Sequence, residues 1–281
     1  MTDTSKTFRA GCVQLTSANE VEPNIQTSSA LIREAAGLGA DLVLMPEMVS
    51  LLEMNSKKMF ARVALQDDDK ALKAYRALAD ELSIWILVGS LPILTPEGKV
   101  ANRSFLLNTS GEITATYDKI HLFDVDLPNG ETYRESKNYV PGGAATLAPT
   151  PWGPLGMSVC YDLRFPYLYR AYGHAGAKFL SIPAAFTKVT GEAHWHVLQR
   201  ARAIENGCFV FAPAQCGKHA DGRTTFGHSL IVAPWGEVLA DGGTEPGVIV
   251  AEIDPVKVDE AHGRVPSLRH DRTFTPPEAL D

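Results

Sequence analysis

The chain has 281 residues, 45% of them hydrophobic and 21% charged, with a formal net charge of -7. That composition supports a full core without a basic surface, so nucleic acid and anionic lipid are excluded as expected partners. The four cysteines, Cys12, Cys160, Cys208 and Cys216, show no C-x-x-C pairing, so neither a disulfide scaffold nor a zinc site is expected.

A polar start over 1–7 leads directly into a strand predicted over 8–15. With no charged-then-apolar leader and no apolar run long enough to span a bilayer, the reading is a cytoplasmic protein without a membrane partner. A helix is predicted over 22–38, where Ile25, Leu31, Ile32, Ala35 and Leu38 recur at helical spacing. A strand over 41–45, a helix near 68–82 and a strand over 84–90 follow, with Asp67, Asp68 and Asp69 suited to the positive end of that second helix. Strands over 101–108 and 113–118 flank Thr109-Ser110-Gly111-Glu112, a hairpin signal. The polar stretch 121–145, with its glycines and prolines, reads as one long functional loop. An apolar run over 155–159 then precedes a helix over 166–175, a strand over 178–183, a helix over 191–206 and strands over 208–213, 225–233, 237–241 and 247–253. The order is read as a single domain, 1–281, with 255–281 as a C-terminal extension. Two face-to-face sheets with helices outside fit it, although periodicity alone does not separate that arrangement from one open sheet.

Three apolar or β-favouring segments each end on a reactive group. Glu47 follows Asp41-Leu42-Val43-Leu44-Met45-Pro46, Lys119 follows Ile113-Thr114-Ala115-Thr116-Tyr117-Asp118, and Cys160 follows Leu155-Gly156-Met157-Ser158-Val159. A thiol at a strand-to-helix turn can face a pocket while the next backbone N–H groups point at a developing anion. Because a thiol is mostly protonated at neutral pH, it needs a base, for which Glu47 is the candidate. Lys119 would stabilise the oxyanion of a tetrahedral intermediate. Glu135 would orient Lys119 or position the attacking water. Taken singly, each has a plainer reading: a solvated carboxylate after a strand, a surface lysine beside Asp118, a small core hydrophobe. All three at strand ends together favour catalysis.

The remaining signals are weaker. His194 and His196 lie two apart on a predicted helix, the wrong spacing for ligation from one face, and are read as packing residues. The run Gly156-Met157-Ser158-Val159-Cys160 only half matches a serine nucleophile elbow, and Gly37-Leu38-Gly39 lacks the third glycine of a dinucleotide fingerprint. Arg164 either bridges to Asp162 or meets an anionic substrate.

Met45-Pro46-Glu47, Tyr117-Asp118-Lys119-Ile120-His121-Leu122-Phe123 and Val159-Cys160-Tyr161-Asp162-Leu163-Arg164-Phe165-Pro166 resemble the catalytic motifs of the nitrilase superfamily of carbon–nitrogen hydrolases, in order and over nearly the whole chain. The resemblance implies an α/β fold of the four-layer αββα sandwich type and a triad of Glu47 as base, Lys119 at the oxyanion and Cys160 as nucleophile, with no cofactor. It makes Glu135 similar to the family's additional active-site glutamate. It also implies a homodimer or larger homo-oligomer, with the 255–281 extension at the interface. The segment from Thr190 to Asn206 looks like the Nit branch, which holds deaminated glutathione amidases and omega-amidases. Ala214-Gln215-Cys216-Gly217-Lys218-His219 with Arg223 and Phe226-Gly227-His228-Ser229 is closer to the former, while His121-Leu122-Phe123-Asp124-Val125-Asp126 and Glu135-Ser136-Lys137 resemble omega-amidases equally; the former implies cleavage of deaminated glutathione to 2-oxoglutarate and cysteinylglycine. On that reading the partner is a small anionic amide, with Arg164 at its carboxylate and Tyr161 and Phe186 as binding-site walls. Other small ω-amides and N-carbamoyl amino acids are the rival substrates. A non-catalytic scaffold of the same fold is the rival function, disfavoured by the intact triad.

Overall fold

The computed structural model describes residues 6–278. Residues 1–5 of the polar start and 279–281 of the extension lie outside it. Two sheets carry the fold. In the first, seven-stranded, the order is Gly247–Ile253, Phe8–Gln14, Leu42–Leu44, Trp85–Leu94, Val100–Leu107 and Ile113–Asp118, with Tyr139–Val140 joined to Val100–Leu107. The second, six-stranded, runs Val238–Asp241, Leu230–Val232, Phe209–Ala212, Phe179–Ser181, Leu155–Met157 and Thr146–Ala148. The inner strands of each sheet pair in parallel and the outer ones antiparallel, except that Tyr139–Val140 runs parallel to Val100–Leu107.

Side-chain alternation sorts the first sheet into two faces. Val13, Val43, Ile86, Val88 and Phe105 pack with Ile32 and Ala35 of helix Val21–Gly37 and with Tyr75 and Leu78 of helix Lys70–Leu82. Phe8, Ala10, Cys12, Leu42, Leu44 and Leu87 take the opposite face, against the second sheet. There Phe8 stacks on Trp152 with ring centroids 4.1 Å apart and meets Phe179 edge-on at 5.5 Å. Helices Pro166–His174 and Lys188–Asn206 close the far side through Leu168, Tyr169, Tyr172, Trp195 and Ala203. The result is the expected four-layer αββα sandwich. Among the described residues no helix is long and apolar enough to cross a membrane.

The structure departs from the sequence reading in two places and adds a helix in a third. The segment 121–145 is not one loop: it holds a hairpin, Asp124–Asp126 against Thr132–Arg134, a 3-10 turn over Glu135–Lys137 and the short strand Tyr139–Val140. The strand expected over 225–233 is two, Thr224–Phe226 and Leu230–Val232, in different sheets, because Gly227 and His228 both turn the chain through positive φ. Thr224–Phe226 pairs instead with Cys216–Lys218. Residues 255–281 carry a further helix, Val256–Arg264, tied back by His262 Nε2 to the Asn206 carbonyl at 2.8 Å.

Candidate active site

The three strand-end residues converge because backbone contacts fix the turn that carries each one. Past Leu42–Leu44 the chain stays on its neighbour, the Met45 N–H donating to the Leu87 carbonyl at 2.9 Å. Met48 then takes a left-handed φ of 55°, and its N–H donates to Ser90 Oγ at 2.9 Å, turning Glu47 inward. Gly89 makes room, since a Cβ there would lie 1.9 Å from the Met45 carbonyl oxygen. At Lys119 the N–H donates to the Asn102 carbonyl at 3.0 Å and the carbonyl accepts from Gly142 N–H at 2.9 Å. The Arg103 guanidinium forks onto the preceding Asp118 at 2.6 and 2.8 Å. Cys160 sits at the start of the 3-10 turn Cys160–Arg164 with φ 48°, a conformation costly for a non-glycine residue, and its N–H donates to the Pro183 carbonyl at 2.9 Å. Tyr161 N–H stands in the first turn of that element, ahead of its internal hydrogen bonds.

One buried carboxylate joins two of these motifs. Asp162, fully buried, accepts from Tyr117 Oη at 2.7 Å, Val159 N–H at 2.9 Å and His121 N–H at 3.0 Å. Its oxygens are therefore committed to the Lys119 and Cys160 segments, and the bridge to Arg164 that the sequence allowed does not form.

Lys119 Nζ lies 2.9 Å from Glu47 Oε1 and 2.9 Å from Glu135 Oε2. Asn102 Nδ2 donates to both carboxylates, at 2.9 Å to Glu47 and 3.1 Å to Glu135. Ala185 N–H donates to Glu47 Oε2 at 2.8 Å and Phe123 N–H to Glu135 Oε2 at 2.6 Å. Lys119 is 2% exposed, Glu47 3% and Cys160 7%, which rules out the surface readings of the lysine and the glutamate. Burial sets the electrostatics. It pushes the Glu47 carboxyl up, but Lys119 beside it prevails and holds the group below the ordinary carboxylate value. Burial likewise works against the Lys119 ammonium, and Glu135 and Glu47 together raise it well above the ordinary lysine value. For Cys160, burial and the Glu47 charge act together and push the thiol well up, so at rest the sulfur keeps its proton beside a carboxylate able to take it.

These groups line a cavity of about 210 Å³ that also takes in Tyr161, Phe186, Tyr133, Tyr139 and Arg223. Of the expected substrate contacts, Tyr161 and Phe186 are placed there and Arg164 is not. The Arg164 guanidinium lies over the Phe186 ring, 5.3 Å from its centroid, with both terminal nitrogens 3.4 Å from His194 Nδ1. Asn102 was missed because a polar residue inside a strand carries no pattern of its own, while Arg223 had served only as a family signal. His196, set aside as a ligand on its spacing to His194, meets residues distant in sequence: its Nε2 is 3.0 Å from Asp241 Oδ2, and His228 Nδ1 is 2.9 Å from Asp241 Oδ1. Hydrogen bonds between these imidazoles and the carboxylate account for that cluster.

Comparison with known proteins identifies the family. The carbon–nitrogen hydrolase family model matches residues 9–262. Deaminated glutathione amidase of Synechocystis is 40% identical over 269 residues, 94% of this chain and 98% of the relative. The human protein of that name is 39% identical over 264 residues, 92% of this chain and 80% of its own. The crystal structure of Saccharomyces cerevisiae Nit3, a member of branch 10 of the nitrilase superfamily, superposes with a TM-score of 0.83 at 29% identity, covering 93% of this chain and 95% of that one.

Proposed function

The chain belongs to the carbon–nitrogen hydrolase family, and from that premise we propose that it hydrolyses the amide of deaminated glutathione, releasing 2-oxoglutarate and cysteinylglycine, through a Glu47-Lys119-Cys160 triad. The observation that carries the catalytic part is the geometry: the buried Cys160 thiol and Glu47 carboxylate line one cavity, with Lys119 Nζ 2.9 Å from that carboxylate. In the first step the Cys160 sulfur attacks the amide carbonyl carbon as its proton passes to Glu47. The carbonyl electrons move onto oxygen, where Lys119 Nζ and the Tyr161 N–H stabilise the anion. Each such donor contributes roughly 100- to 1,000-fold in rate. Glu47 returns the proton to the leaving amine, the C–N bond breaks and a thioester remains on Cys160. Water then attacks the thioester carbonyl, losing a proton to Glu47, and the acid leaves as the thiol is restored. Glu135 serves by holding Lys119 rather than by touching the reacting atoms, consistent with its two contacts to Nζ.

The substrate is supported by the shared name of the relatives. The homo-oligomer is part of the same reading, supported by the exposed Tyr167, Val197 and Ile204 on the two outer helices of the second sheet. Purified protein incubated with deaminated glutathione should release cysteinylglycine and show, by intact mass, a transient adduct of the 2-oxoglutaryl group. Cys160→Ala should show neither. Full activity in Cys160→Ala would overturn the mechanism, and ammonia release from 2-oxoglutaramate far exceeding dipeptide release would replace the substrate with a simple ω-amide.

A further inference from the structure

Asp162 is held by a side chain that the catalytic steps do not use. His121 Nδ1 lies 2.6 Å from Asp162 Oδ1, the oxygen that also accepts the His121 backbone N–H at 3.0 Å. Tyr117 Oη and Val159 N–H donate to the other oxygen at 2.7 and 2.9 Å. Asp162 is fully buried, and no lysine or arginine pairs with it among the described residues. A carboxylate in that setting is costly unless donors meet its lone pairs. Of the groups that hydrogen-bond to it, the His121 imidazole alone is able to carry a positive charge.

The same bonds frame both reactive residues. Tyr117 and His121 lie two residues before and two after Lys119, and Val159 and Asp162 lie one before and two after Cys160. Tyr117 is already fixed in the strand Ile113–Asp118, opposite Ser104, whereas His121 stands beyond the end of that strand. Its place comes from Asp162 and from two aromatic neighbours. The ring stacks on Phe165 with centroids 3.5 Å apart and 8° between the planes, and Nε2 lies 2.6 Å from the hydroxyl of the exposed Tyr167. With Asp162 accepting, Nδ1 carries the ring hydrogen and Nε2 accepts from Tyr167. Cys160 needs such support, because its φ of 48° persists only where the surrounding contacts over-determine it. His121 does not line the cavity, so it reaches the reacting atoms only through Asp162.

We propose that His121 is a positioning residue for the nucleophile: the hydrogen bond from its imidazole fixes Asp162, and Asp162 sets Cys160 against Lys119. This role rests on the Glu47-Lys119-Cys160 reading and adds to it the group that keeps two of the three in register.

Two substitutions separate the bond from the stack. His121→Phe keeps a ring against Phe165 and removes the donor, whereas His121→Asn removes the ring and puts an amide N–H at the position of Nδ1. On deaminated glutathione, kcat of folded His121→Phe should fall about 10- to 100-fold while KM stays within about threefold, since a displaced thiol slows the chemical step and leaves the pocket intact. His121→Asn should keep more than about a third of the wild-type kcat. A wild-type kcat in folded His121→Phe would reduce His121 to a packing residue and overturn the proposal. So would equal losses of kcat in the two variants, or a loss carried by KM. If His121→Phe does not fold, His121→Asn decides alone: retained kcat supports the hydrogen bond as the working contact, and a fall of more than about threefold overturns it. Wild-type protein that turns over neither deaminated glutathione nor 2-oxoglutaramate would instead overturn the amidase reading, and this role with it.

Discussion

On the cavity floor, Lys119 and Glu47 are 2% and 3% exposed, and both oxygens of Glu47 and of Glu135 accept hydrogen bonds. On the rim, the Arg134 and Asp126 side chains are 52% and 68% exposed and hold one another by a fork of similar length. The bonds look alike, but their surroundings do not. Water screens the rim pair and offers both groups an alternative, so it contributes little. On the floor no solvent replaces a lost partner, and each contact fixes a protonation state as well as a position. Glu135 belongs to both regions: its backbone lies in the rim segment and its carboxylate completes the floor.

The largest expected effect tests the floor. Glu47→Gln keeps the shape and removes the base, and kcat/KM for amine release should fall roughly 100- to 10,000-fold. A loss below tenfold would show that the floor's order is not catalytic. Asn102→Leu comes next, removing the donor shared by Glu47 and Glu135. Because that donor favours the ionised carboxylate, the acid limb of the pH–rate profile should move to higher pH, with kcat down about tenfold. A uniform loss with an unmoved limb would make Asn102 a packing residue.

The third test is of stability against pH. The folded-state values of Cys160 and Lys119 are raised above their ordinary 9.0 and 10.5. Each contributes stability that is fully present below its ordinary value and is lost as pH rises towards the folded one. The urea unfolding free energy should therefore decline as pH rises above about 9, and Cys160→Ala should flatten the first part of that decline. The smallest effect belongs to the rim: Arg134→Ala should change stability by no more than about 1 kcal/mol. A larger loss would end the contrast between floor and rim.

How much of this could be read in the chain follows from the same contrast. Glu47 and Cys160 each follow an apolar run and Lys119 a β-favouring one, so the strands that position them announce them. Asn102, on the strand Val100–Leu107, is flanked by Ala101 and Arg103, and nothing local shows that its amide faces two carboxylates from elsewhere. In the second sheet Phe179–Ser181, Phe209–Ala212 and Val238–Asp241 fall where strands are expected, whereas Thr146–Ala148, three residues long, is too short for a period to register. Arg164 is near Cys160 in sequence, and the 3-10 turn places its guanidinium over the Phe186 ring, a contact that the spacing alone does not show. Arg223 approaches Ala185 from a separate two-stranded ribbon, a contact between residues 38 apart in the chain.

The bond from Ala185 N–H to Glu47 joins the two sheets, with the carboxylate on one and its donor just beyond a strand of the other. The distance between base and nucleophile is then a property of how the sheets seat on one another, which the Phe8, Trp152 and Phe179 rings help to set. An error of about 1 Å in placing a catalytic group can cost on the order of 100-fold in rate. A folded, soluble variant with one of those rings trimmed would thus present as an enzyme with poor turnover, and a survey sorting variants by distance from Cys160 would file it under the wrong cause.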